Sequence, residues 1–183
     1  MDKARKSELV ELADMLANSW LDPVNPVRID SRFFPVSRAE AYLVQDYMHK
    51  TLQQGMVGWK VGATSARMRE IDGHEDVIPG RIFESRTYFG SHHNLPIKYF
   101  PGARAEAEFA FQLTAKPYLR QTPWTSSEME TMLLLHPAIE IIGNRFTIED
   151  ASKLENSLMT IADNGGGIGF IFGEPVEDWR GMD

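Results

Sequence analysis

Apolar positions first recur at helical spacing. Over residues 3–20, Leu9, Val10, Leu12, Ala13 and Leu16 form one stripe among charged neighbours, which predicts an amphipathic helix. Asp22-Pro23 and Asn25-Pro26 end it. Ser37-Arg38-Ala39-Glu40 has the form of a capping box, and the pattern behind it predicts a second helix to about Gln54, with Gly55 as the stop. The spacing then shortens. Met56 to Gly62 reads as a strand, Ser65 to Ile71 as a short helix, and Gly80 to Phe83 as a short strand after a turn at Pro79. Residues 104–114 and 137–142 read as longer strands. A helix opening at Ser126-Ser127-Glu128 is expected to run through Leu135, and one capped by Asp150 to cover 151–158. Gly165 to Phe172 is a glycine-rich entry into a last strand. Helices first, then strands with helical insertions, predict an α+β fold: a helical region over 1–55 and a strand-rich part over 56–183, together one structural unit.

Two of those strands carry carboxylates where the pattern calls for apolar groups. Glu106 and Glu108 interrupt Ala105 to Phe111, and Glu140 interrupts Pro137 to Ile142. Strand alternation points Glu106 and Glu108 to the same face. An ionised carboxylate in an apolar setting is disfavoured unless it is paired or bound to a metal. Three converging acids repel one another, and a hard divalent cation resolves that repulsion; oxygen-only ligation favours Mg²⁺, Mn²⁺ or Ca²⁺ over zinc. The alternatives are a solvated face for Glu106 and Glu108, and a buried ion pair of Glu140 with Lys60 or Arg145.

Composition narrows the function classes. Apolar residues make up 43% of the 183, which suffices for a core. A net charge of −7 and the lack of a basic stripe argue against nucleic-acid binding. The absence of cysteine removes disulfides, thiolate metal sites and cysteine nucleophiles together, and fits a cytoplasmic home. No stretch approaches the roughly 18 apolar residues of a membrane span. Lys60 lies between Trp59 and Val61, where it could serve as an acid–base group, bind a substrate carboxylate or snorkel to the surface. Asp163-Asn164-Gly165-Gly166-Gly167 is a tight polar turn whose N–H groups could bind an anion, though it matches no nucleotide-binding fingerprint. The adjacent His92 and His93 diverge in extended chain, His136 reads as structural, and no Ser–His–acid pattern stands out.

Five segments together resemble the 2-keto-4-pentenoate hydratase and 2-oxo-3-hexenedioate decarboxylase group of the fumarylacetoacetate hydrolase superfamily. They are Gly58-Trp59-Lys60-Val61-Gly62-Ala63-Thr64, Gly80-Arg81-Ile82-Phe83, Arg104 to Phe111, His136 to Phe146 and Ala162-Asp163-Asn164, in family order over nearly the whole chain. The resemblance implies a mixed β-roll and a Mg²⁺ or Mn²⁺ site with Glu106, Glu108 and Glu140 as ligands. It implies Lys60 beside the metal as the proton-transfer group, with Asp76 second, and Lys60, Arg81, Phe83, Asp163 and Asn164 as substrate-binding positions. Its substrates are short 2-keto acids.

The leading expectation from that resemblance is a hydratase of 2-hydroxy-2,4-dienoates, of the kind used in degrading aromatic compounds. The alternatives are a 2-oxo-dioate decarboxylase, for which Arg81 or Arg145 would meet the second carboxylate, and a non-catalytic paralogue. Two departures stand out. Ile78-Pro79 occupies the place where hydratases commonly carry an acid, with Glu75 and Asp76 the nearest carboxylates. The family's fold also continues past the position of Asp183, so the chain is expected to be C-terminally truncated and to need self-association or a completing partner chain.

Overall fold

The structure is a computed structural model describing residues 1–100 and 102–182. Helix α1 (Lys3–Leu21) starts at Asp2, whose side chain accepts from the Arg5 N–H at 2.8 Å. It buries Leu9, Leu12, Ala13, Leu16, Ala17 and Trp20, an i, i+3, i+4, i+7 series. Val10 lies to one side of that series and is exposed, so the buried stripe is narrower than the sequence pattern predicts.

Helix α2 (Arg38–Leu52) is capped by Ser37, but the reciprocal half of the expected capping box is absent. The Glu40 carboxylate instead accepts from the Val36 N–H at 3.0 Å and from Arg5 at 2.7 Å, which ties α2 to α1. The helix ends with Gln53 in the left-handed region at φ 50°, two residues before Gly55.

The remaining elements are β1 (Val27–Arg28), β2 (Met56–Gly62), α3 (Ala66–Asp72), β3 (Ile78–Phe83), β4 (Thr87–Phe89), β5 (Arg104–Leu113), α4 (Ser126–Glu130), β6 (Leu133–Ile142), β7 (Phe146–Thr147), α5 (Lys153–Ala162) and β8 (Gly167–Phe172). Among the described residues the strands form three sheets. β1 and β7 pair in parallel, β2 and β3 form an antiparallel ribbon, and a four-stranded mixed sheet runs β4-β8-β6-β5. This is the α+β architecture the sequence predicts.

Two element assignments need correction. The helix at Ser126 stops at Glu130, and Leu133, Leu134 and Leu135 belong to β6. They pair with Leu113, Gln112 and Phe111 of β5, so ladder partners remote in sequence override a locally plausible helix. Its capping box is built by Thr125 with Glu128. The later helix is capped by Ser152 with Glu155, not by Asp150, and reaches Ala162.

One hydrophobic cluster joins α1, α2 and α5 to Ile78, Phe83, Phe100, Ile141, Phe146 and Ile168 from the sheets. The helices therefore share a core with β3, which pairs with the Lys60 strand, and with β6 and β8, while β5 stays on the sheet edge. Among the described residues, no helix is long and apolar enough to cross a membrane.

Candidate metal centre

The register of β5 on β6 sets Glu106 directly opposite Glu140 and Glu108 opposite Ala138. Opposed residues of a ladder share a face, and Glu108 lies two residues beyond Glu106, so all three acids meet on one side of the sheet. One carboxylate oxygen from each lies within 4.8 Å of the other two. Glu106 and Glu108 are exposed on the edge strand, whereas Glu140 is buried at 4% exposure. Burial raises the Glu140 carboxyl to about 7; Lys60 opposes this, and Glu106 and Glu108 add to it.

The site fits a hard cation on its own geometry. Glu140 Oε1 is buried and accepts no hydrogen bond. Lys60 Nζ stands 3.6 Å away, an ion pair beyond hydrogen-bond range. An unsatisfied buried carboxylate oxygen is costly, and two further carboxylates beside it make the region electron-rich. Three oxygen donors with an open side match how Mg²⁺ is commonly held, by a few carboxylates with the remaining positions left to water or substrate.

Lys60 is held by glycines. Its side chain is 6% exposed and its ammonium donates to the Gly165 carbonyl. A Cβ on Gly165 would lie 2.7 Å from Lys60 Cε, and one on Gly80 would lie 3.0 Å from the same atom. Gly165 also sits at φ 67°, where L side chains are strained. On the Glu140 side, a Cβ on Gly167 would meet Oε1 at 2.7 Å. The glycine turn thus lets the lysine and the buried carboxylate approach each other. The contact this turn makes toward the site is through its Gly165 carbonyl, which accepts from a cation.

Arg145 braces the same turn. Its Nε donates to Asp163 Oδ1 at 2.9 Å, its Nη2 to the Asp163 carbonyl at 2.8 Å and its Nη1 to the Gly167 carbonyl at 3.3 Å. Burial pushes the Asp163 carboxyl up, and the Arg145 guanidinium opposes that shift. Asn164 joins the turn to β3: its Oδ1 accepts from the Arg81 N–H at 2.7 Å and its Nδ2 donates to the Arg81 carbonyl at 2.8 Å. Arg145 therefore partners Asp163, not Glu140.

Other residues singled out in the sequence lie elsewhere or are already engaged. The Phe83 ring packs edge-on to Trp20 at 5.0 Å, so it is a core group and not part of a binding surface. The Arg81 guanidinium binds Asp46 and Gln45 Oε1 and lies over the Trp59 ring. Asp163 and Asn164 are fully buried supports of the turn. Asp76 is exposed and its carboxylate accepts from the Val77 N–H at 2.7 Å, outside the acidic cluster. Phe170 and Phe172, legible in the sequence only as apolar residues of the last strand, border the site. Phe170 lies opposite Glu140 and Phe172 opposite Ala138, so both flank the carboxylates on the same face. Period-two alternation from Glu140 through an assumed β6–β8 pairing is the signal that finds them.

Mg²⁺ should stabilise this protein by about 5–10 °C at a concentration about 100 times its dissociation constant. Thermal melts with Glu108→Ala check this: the variant should lose the shift, and a full shift in the variant would remove Glu108 from the ligand set. The shift should be larger at pH 8 than at pH 6. Glu140, with its folded pKa above the unfolded value, holds a proton below about 7, and metal must displace it. In the metal-free protein the sign is opposite: stability due to that proton is lost as pH rises through about 7.

No protein-family model matches the chain, and no curated protein does. Solved structures share its fold. The 4-oxalocrotonate decarboxylase from Pseudomonas putida G7 in complex with magnesium and adipate is 19% identical, with a TM-score of 0.74 over 92% of this chain and 63% of that one. The same enzyme in complex with calcium and acetate is 22% identical, with a TM-score of 0.74 over 92% of this chain and 62% of that one. This chain thus spans less than two thirds of the length of those structures.

Proposed function

We propose that this chain is a divalent-metal-dependent lyase of short 2-keto acids that decarboxylates a 2-oxo dioate. The carrying observation is the meeting of Glu106, Glu108 and the partnerless oxygen of Glu140 with a lysine 3.6 Å away. A Mg²⁺ or Mn²⁺ ion held by the three glutamates would supply an electrophile for a 2-oxo oxygen. Lys60 would deliver or accept a proton beside that oxygen and balance charge as an enolate develops. Phe170 and Phe172 give the carbon chain an apolar wall. The shared fold with a decarboxylase solved with magnesium and a diacid supports this reading over hydration.

One observation favours the runner-up, hydration of a 2-hydroxy-2,4-dienoate. Arg81 and Arg145, the cations expected to meet a second carboxylate, are both engaged. The purified protein incubated with Mg²⁺ or Mn²⁺ and either oxalocrotonate or 2-hydroxy-2,4-pentadienoate separates the two. Metal-dependent release of CO₂ from the diacid is the expected result. Water addition to the dienoate without CO₂ release would replace it with the hydratase reading, and no turnover of either would leave a non-catalytic paralogue.

A further inference from the structure

We infer that Arg104 is the specificity-determining residue of the site, binding the distal carboxylate of a dicarboxylic 2-keto acid. The inference rests on the metal-site reading above and adds the residue that selects a diacid over a monoacid.

Arg104 opens β5, two residues before Glu106. Strand alternation therefore sets it on the face that carries Glu106, Glu108 and Glu140. Three cations are carried by the strands of the site or bound to its glycine turn, and they differ in what they already hold. Lys60 is bound to the Gly165 carbonyl and paired with Glu140. Arg145 is spent on Asp163 and two carbonyls of the turn. Arg104 is exposed and makes no ion pair or side-chain hydrogen bond among the described residues.

The spacing selects a chain length. Two residues of strand advance roughly 6.6–6.8 Å, so the base of the Arg104 side chain is displaced by that much from Glu106 along the sheet. Five carbon–carbon bonds of about 1.5 Å in a zigzag separate the end carbons of a six-carbon diacid by roughly 6 Å. A diacid whose keto-acid end lies at the glutamates therefore extends along this face toward Arg104 with its other end. Arginine is suited to this, because its planar fork takes a carboxylate through two parallel hydrogen bonds. An ion pair to the distal carboxylate stabilises the bound ground state, so the effect belongs in affinity and not in the chemical step.

Calorimetric titration with Mg²⁺ present, using 2-oxoadipate and 2-oxohexanoate as probes, tests this. The wild type should bind the diacid at least about tenfold more tightly than the monoacid. Arg104→Met should remove that preference by weakening the diacid alone, and Arg104→Lys should restore part of it. Mg²⁺ affinity measured without either acid should stay level or rise in Arg104→Met, since a neighbouring positive charge is removed. Equal weakening of both acids, or a diacid preference that survives Arg104→Met, would overturn the assignment while the metal-site reading stands. Failure of both acids to bind the wild type with Mg²⁺ would overturn the site reading and the Arg104 assignment together.

Discussion

Lys60→Met should lower turnover by about 10²–10⁴-fold, the range that a positioned proton-transfer group contributes, with Mg²⁺ binding retained. Methionine keeps most of the volume in the cradle of Gly80 and Gly165 and deletes the charge. Two consequences separate a chemical role from scaffolding. The Gly165 carbonyl loses its donor, which costs stability of the order of one buried hydrogen bond, about 1–3 kcal/mol. Glu140 loses its nearest cation, so its carboxyl should move further up from about 7, while removal of the neighbouring positive charge favours a bound cation and keeps metal affinity level or higher. Measuring kcat at saturating Mg²⁺, well below the melting temperature of the variant, keeps both effects out of the comparison. A variant that then turns over at the wild-type rate would leave Lys60 as a support for the glycine turn.

What the sequence discloses about this site follows from which facts are local. The alternation of Glu106 and Glu108 is a property of seven consecutive residues, and an apolar frame around Glu140 is visible in six. Their meeting requires the β5–β6 register, and that register follows once residues 133–135 are taken as strand. The leucine run there lacks glycine, proline and β-branched residues, so nothing local distinguishes strand from helix. Lys60 is legible as a misplaced cation, but its cradle is assembled by a turn 105 residues away. The same distance hides what satisfies each charge. Arg145 is as plausible a partner for Glu140 as for Asp163 on sequence grounds, and only the path of α5 into the turn sets the pairing. Phe83 shows the opposite failure. A segment quoted for its likeness to a family motif carries a ring that the fold spends on packing against Trp20.

The pair that braces the turn should be the costliest to break. Arg145 and Asp163 have side chains 3% and 0% exposed, and the guanidinium also lies 4.6 Å from the Trp20 ring centroid. Arg145→Met leaves a carboxylate buried without its counter-ion and removes the side-chain donor from the Asp163 and Gly167 carbonyls. Removing one partner of such a pair costs about 3–5 kcal/mol. For a chain of this length that corresponds to a melting temperature lower by about 6–20 °C. Arg145→Lys keeps the charge but not the three-way fork, so it should fall between the two. The double replacement Arg145→Met with Asp163→Leu should recover part of the loss, because the buried charge is then gone with its partner. Urea unfolding of the four proteins reads these differences directly. The recovery matters for function as well as for stability. Asp163 and Gly167 flank Gly165, the residue that receives Lys60, so a turn held by apolar packing alone should regain stability without regaining the position of the lysine. Stability recovered together with full turnover would show that the turn needs no ionic brace. An Arg145→Met protein as stable as the wild type would show that the pair does not hold the turn at all.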